Sequence, residues 1–387
     1  MRKTSVSCLG IRLVALLLGL VSIAGLHALE ADLEVRNQFS VSGLAWDDLS
    51  SGMADFGWKP DLFGEYFLSP DIRLSVELSL DNRLELLFAG EDSSQEISTD
   101  LYRAWVAASY HNTELKAGLQ HIRMGVAQIY RPLQWFDTID PLSLLQDSEG
   151  VQALTLTHFF PNPELRVWIL PGTGETKGNE FFATKKGTAE FGTRLGVLSF
   201  LGETGLSYHQ RVISHVQEDI TAVNEFRLGL DQRVDTVIGA WYEADFQMLD
   251  QNVSLSQSEG FGPKYRYTGS ATLGADYTLG IGKGLYLLGE ANYFWKLTQD
   301  YQTTAEDYHN SGRYQGALVL RYPLSLLDEV QVYSTFNTYN ASPVTSALLS
   351  WRRTYDLLSW DISLSLADFQ NPQSRNLALK LVINYDI

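Results

Sequence analysis

The feature that most constrains this chain is a strict alternation of apolar residues, clearest in the stretch Leu377–Ile387. Leu377, Leu379, Leu381, Ile383, Tyr385 and Ile387 are apolar, and Ala378, Lys380, Val382, Asn384 and Asp386 stand between them. A period of two is the strand period and sends the two sets to opposite faces. Tilted, about 9–11 residues of strand cross a bilayer. The stretch therefore reads as the closing stave of a membrane barrel. A soluble sandwich also contains alternating strands. Recurrence of the pattern along the chain separates the two.

Residues 1–28 read as a cleaved leader. Arg2, Lys3 and Arg12 make a basic start, Leu13 to Leu26 carries no charge, and Ala28 or Ala31 offers a small residue for cleavage. The apolar run is shorter than the roughly 20 residues of a spanning helix, as is every later run. Cys8 lies before the apolar run, which argues against a lipoprotein, and it is the chain's one cysteine. Residues 29–387 can then form no disulfide and no thiolate metal site. The net charge is -17, and loss of the leader makes it more acidic. That excludes nucleic acid as the expected partner. Nineteen Tyr, 18 Phe and nine Trp against 11 Pro fit the aromatic girdles of an exported barrel.

Along the chain the alternation recurs. Ala31–Gly43 is the first strand, followed by a Gly-, Ser- and Asp-rich loop to Pro60. Leu62 to Leu80 is counted as one bent strand, with a turn at Asp81-Asn82, a return over Arg83–Ala89 and a polar loop to Thr99. Hairpins follow in regular order, with short connections such as His111-Asn112 and Pro161-Asn162-Pro163 and long ones between them. The expectation is an all-β transmembrane antiparallel barrel of about 18 strands, with about 16 the alternative. Residues 29–387 form it, and the long loops lie on the outer side.

The polar set of each strand supplies the expected lumen lining: Arg73, Glu77, Arg103, Glu114, Lys116, Arg166, Arg227, Glu243, Asp245, Arg266, Asp276, Glu290, Lys296, Arg313, Arg321, Asp361 and Lys380. A Lys or Arg on the lipid face costs about 2–4 kcal/mol at mid-bilayer, which fixes this register. These charges either line a water-filled passage or pair across it. The insertion 121–150 is long and rich in Ile129, Leu133, Trp135, Phe136 and Ile139. Such a loop is more stable folded onto the barrel than in water. Folded inward, it places Arg123, Arg131, Asp137, Asp140 and Glu149 at a constriction; the other reading packs it over the rim. Asp140-Pro141 suggests a short helix over 142–147.

The run Gln120-His-Ile-Arg-Met-Gly, the later Asp-Pro, and Ser-Glu-Gly-Val-Gln-Ala-Leu resemble a segment of porin-like outer-membrane proteins of Gram-negative bacteria and spirochaetes, with an alginate-export-like layout. The resemblance covers residues 120–155; Met124 stands where many relatives carry Trp. Leu381, Ile383, Tyr385 and Ile387 resemble the C-terminal signal read by the barrel-assembly machinery, although the chain ends in Ile rather than Phe. The resemblance implies a channel for small polar solutes or oligosaccharide-like substrates, exported by the Sec route to the outer membrane. Its lipid is one partner, and a homo-oligomer is compatible. An adhesin or structural barrel without an open pore is the alternative. No enzyme, cofactor or metal is expected. His209 shares a face with Ser207 but no acid joins them in sequence, and Glu243 with Asp245 reads equally as a charge ladder.

Overall fold

Secondary structure in this chain is made almost entirely by the ladder. The computed structural model describes residues 30–46, 51–89, 92–137, 148, 150–200, 202–214, 222–254, 264–299, 308–310, 312–339, 342–367 and 376–386. The strands are β1 (Glu30–Trp46), β2 (Ser51–Ser69), β3 (Ile72–Ala89), β4 (Asp92–Tyr110), β5 (Thr113–Gln120), β6 (Val151–Phe159), β7 (Glu164–Pro171), β8 (Ala189–Ser199), β9 (Gly202–Ile213) and β10 (Val223–Asp235). They continue with β11 (Gly239–Ser254), β12 (Lys264–Leu279), β13 (Leu285–Gln299), β14 (Tyr308–Asn310), β15 (Arg313–Pro323), β16 (Asp328–Tyr339), β17 (Ser342–Thr354), β18 (Leu358–Ala367) and β19 (Asn376–Asp386).

Neighbours in sequence pair antiparallel throughout, and β1 pairs with β19 from Gln38↔Asp386 to Trp46↔Ala378. That last ladder closes the sheet and removes its edges. The three-residue β14 and the longer β15 lie along the same edge of β13, so the closed barrel has 18 staves.

Burial is inverted relative to a protein in water. On β10 Glu225, Arg227 and Asp231 are buried while Leu228 and Leu230 are exposed. On β9 Ser207, His209 and Arg211 are buried and Leu206 is exposed. A sheet whose polar face is enclosed and whose apolar face is bare suits a lipid solvent outside. The closing strand follows the same rule, with Leu381 and Tyr385 outward and Val382 inward. The side chain of Lys380 and the whole of Ile387 lie outside what is described.

The second and third staves differ from the sequence reading. The turn falls at Pro70-Asp71, and β3 runs straight through Asp81-Asn82. Asp81 tolerates the strand because Arg83 (2.9 Å) and Lys59 (3.7 Å) neutralise it. The Asn82 amide donates to the Trp58 carbonyl and accepts from Thr99. Two further stretches read as loops, 51–60 and 92–99, are paired strand. The total of 18 staves survives because one hairpin was drawn in the wrong place, not omitted.

The wall is uneven in height. β1 to β4 have 17, 19, 18 and 19 residues, whereas β5, β6 and β7 have 8, 9 and 8. The long insertion leaves the top of β5, where the wall drops.

Candidate functional site

The segment 121–137 turns into the barrel and crosses the lumen. Its base packs on the wall that it leaves. Ile122, Met124, Leu133, Trp135 and Phe136 form one buried cluster with Val151, Ala153, Trp168 and Leu170 of β6 and β7. Its far end reaches the opposite wall, where Ala127 joins Trp241, Leu288, Ala317, Val319 and Tyr333. The described part of the loop thus lies against the barrel's inner wall on both sides. Asp140, Glu149 and the helix expected over 142–147 lie outside the described residues.

Two wall carboxylates hold this crossing. Glu243 Oε2 accepts from the backbone N–H of Val126 and of Ala127, both at 2.8 Å, and its Oε1 accepts from Leu133 at 2.6 Å. Glu290 accepts from the N–H groups of Gln128 (2.7 Å), Ile129 (3.0 Å) and Tyr130 (2.8 Å), and from Trp241 Nε1 (2.9 Å). A loop buried in a lumen has no ladder to satisfy its N–H groups, and an unmet one costs about 1–3 kcal/mol. A carboxylate meets several at once, with charge-assisted bonds. The loop's carbonyl side is met by Thr272, whose hydroxyl donates to the Tyr130 carbonyl at 2.7 Å. Tyr130 donates its own hydroxyl to the Gly316 carbonyl at 3.0 Å.

Close approach depends on two glycines. Gly125 has φ +81°, and a Cβ there would lie 2.2 Å from a Glu243 oxygen. A Cβ on the lumen side of Gly229 would lie 2.4 Å from Leu133.

Of the residues expected at a constriction, Arg131 and Asp137 pair with each other. The guanidinium donates to both carboxylate oxygens at 2.8 and 3.0 Å, and the two side chains are 2% and 1% exposed. Burial alone would raise the Asp137 carboxyl; His121 and Arg131 beside it outweigh that and hold it below the ordinary value. This pair staples the loop to itself. Arg123 is exposed, and Arg166 reaches its carbonyl at 3.5 Å.

The expected lumen residues divide by task. Glu243 and Glu290 hold loop backbone, and Asp245 accepts from Trp135 Nε1 at 3.1 Å. Arg103 donates to the Ser148 carbonyl at 2.9 Å. Arg227 bonds Glu225 (2.6 Å) and stands 6.0 Å from the Trp135 ring. Asp276 meets Arg233 and Tyr286, and Asp361 meets Arg352. Arg321 meets Gln331. Lys116 lies over the Trp105 ring at 3.5 Å and Arg313 over Phe294 at 4.9 Å. Arg266 donates to the Leu249 carbonyl.

A second loop, 172–188, also bends inward, and the sequence reading left it as a plain outer loop. Lys177 bonds Glu190 at 2.6 Å, and Glu180 meets Arg211 at 2.8 Å. Arg211 is also paired with Glu225 at 2.6 Å. The charges on β8 to β10 gave little signal for it, because most pair within the wall, as Arg194 with Asp231 and Arg227 with Glu225 do. His209 accepts from Trp168 Nε1 at Nδ1 (3.2 Å) and faces Glu190 through Nε2 (3.2 Å). Ser207 accepts from Arg194 instead. Both side chains serve packing between wall and loops.

No protein-family model matches the sequence, and no curated protein sequence matches it. Solved structures match over nearly its whole length. Acinetobacter baumannii OccAB1 aligns with a TM-score of 0.58 at 9% identity, over 93% of this chain and 97% of that one. The fold is that of an outer-membrane porin-type barrel. Pseudomonas aeruginosa OpdK with vanillate gives 0.56 at 10% identity, over 93% and 99%, and Pseudomonas aeruginosa OccD3 (OpdP) gives 0.53 at 12%, over 93% and 92%. At such identities the likeness is one of fold.

Proposed function

We propose that the protein is a porin-like channel of the bacterial outer membrane for passive passage of small hydrophilic solutes. The observation that carries this reading is the segment 121–137, held across a polar lumen by Glu243 and Glu290. A barrel with only a structural task has no need to hold a loop at mid-lumen. The described loop contacts lie on β4 and on staves from β6 to β16, with Leu348 of β17 packed against the far cluster, which leaves the lumen beside β18, β19 and β1 to β3 as the passage. Its lining carries both signs of charge, as in Glu77, Arg73 and Asp361.

A cavity of about 330 Å³ beside the crossing adds a solute preference. Phe181 and Phe294 meet edge to face there, ring centroids 6.3 Å apart, with Lys296 4.6 Å from the first ring and Arg313 beside the second. Ring faces and cations suit small aromatic anions; the OpdK structure contains one, vanillate. Oligosaccharide-like solutes also stack on rings.

To the same reading belong the leader 1–28 with Sec export and the alginate-export-like layout of 120–155. Recognition of Leu381, Ile383, Tyr385 and Ile387 by the assembly machinery, a possible homo-oligomer and the absence of an enzymatic task belong to it as well.

Planar-bilayer recording tests the function. The folded protein should give discrete openings, and their size should fall when small aromatic carboxylates enter the lumen. Well-folded protein that never opens would return the barrel to the adhesin or structural reading.

A further inference from the structure

The barrel's short-turn end carries an unexpected ring. Turns that face water are normally built from Gly, Asn, Asp and Pro. Two of the turns here follow that rule, Pro70-Asp71 and His111-Asn112. The next six, although several contain Pro, Asn, Asp or Gly, each add a bulky apolar residue. In chain order they present Phe160, Phe200, Val237, Ile281, Leu326 and Leu357, all exposed, with Phe200 at 95% and Leu326 at 104%. One bulky apolar tip per turn, from the β6–β7 turn to the β17–β18 turn, covers most of the rim. Only the sector formed by β1 to β5 and β19 is spared.

Three observations indicate what covers the ring. First, it is continuous with the lipid-facing belt. Immediately above these turns the outward positions hold Tyr242, Tyr277, Tyr322, Trp351 and Trp360, the residues of an interfacial girdle. Second, the ring follows the circumference instead of forming one flat patch. A bilayer surrounds a barrel, whereas a globular partner docks on one side. Third, the sector begins where the wall is short. At about 3.4 Å per residue and a tilt of about 40°, the eight residues of β7 rise only about 21 Å, below an apolar band of about 25 Å. At that stave an apolar turn adds the missing height.

We propose that the turns from Phe160 to Leu357 form a collar embedded in the lipid interface of the inner leaflet, with the Pro70-Asp71 and His111-Asn112 turns standing clear in water. The occupant is phospholipid at the boundary of headgroup and acyl chain. The barrel is then seated unevenly, deeper on the β6–β18 side. On the spared side Asp71 and His111 lie 3.7 Å apart, a polar contact suited to water. This inference rests on the membrane reading above, and the experiment separates the two.

Cys8 is the chain's one cysteine, so a Cys8→Ser background accepts single reporter cysteines. Leu326→Cys, Phe200→Cys and Asn112→Cys carry an environment-sensitive fluorophore, and Leu228→Cys serves as the lipid-belt control. The labelled full chains are folded into phosphatidylcholine vesicles and challenged with lipid brominated near the headgroup or with aqueous iodide. The collar requires bromolipid to quench positions 326 and 200 at least twofold more than position 112, with iodide in the reverse order. Quenching at 228 with only iodide reaching 326 and 200 overturns the collar and leaves the membrane reading intact. Bromolipid that quenches none of the four overturns both. Equal bromolipid quenching at 112 and 326 overturns the uneven seat. Should either tip variant fail to fold, Ile281→Cys replaces it with the same expected result.

Discussion

Two sectors of one barrel use the same residue types for different ends. From β5 to β13 the wall starts low, two loops bend inward, and nearly every described lumen charge has a partner that fixes structure. From β18 through β19 to β3 the described lumen contacts are within the wall, as in Asp361 with Arg352 and Lys59 with Asp81. A Glu on β13 therefore clamps backbone, while an Asp on β18 pairs with an Arg of the neighbouring stave. The face on which a charge lies follows from alternation. Its task follows from what reaches it across the lumen.

Removing the clamp should have the largest effect on this contrast. Glu243→Leu with Glu290→Leu leaves six loop N–H groups unmet, each costing about 1–3 kcal/mol. The loop should leave the lumen and single-channel conductance should rise severalfold. Unchanged conductance would mean that the crossing does not limit flow. Next comes Arg131→Ala, which strands a buried Asp137 at a cost of about 3–5 kcal/mol. Proteolysis within 121–150 should accelerate, and the double change Arg131→Met with Asp137→Leu should restore much of the protection. An unprotected double variant would show that the ion pair does more than fill its site.

Smaller is Gly125→Ala. A Cβ at positive φ costs about 1–2 kcal/mol and presses on the Glu243 carboxylate. Brief extra openings in current traces should report it, and quiet traces would argue that the loop shifts without cost. Smallest is Asp361→Asn on the open sector. It should move the reversal potential by a few millivolts toward anions and leave conductance within about twofold. A change as large as that from the clamp variant would erase the distinction between the sectors.

Much of this was legible in the residues. Period-two alternation gives the closed antiparallel barrel, because lipid on one side leaves a strand little freedom of register, and the count of 18 came with one hairpin misplaced. The composition of 121–137 announces a loop that avoids water. The position of the second hairpin was less legible. Asp81-Asn82 looks like a turn unless the reach of Lys59, Arg83 and Thr99 is known, and those contacts cross strands. The tasks of Glu243 and Glu290 were hidden for a stronger reason. Their partners are backbone amides more than a hundred positions away, and an amide has no letter in the sequence.

That last point bears on how such a protein can change. A fastening made to main chain does not depend on which side chains the loop displays. Positions 126 to 130 can be exchanged for other non-proline residues that fit the space while the six N–H groups stay in place. In the proposed channel, the fastening of the crossing and the side chains it presents to the lumen are then set by separate residues. A descendant with a new solute preference need not first rebuild the bridge on which that preference is displayed.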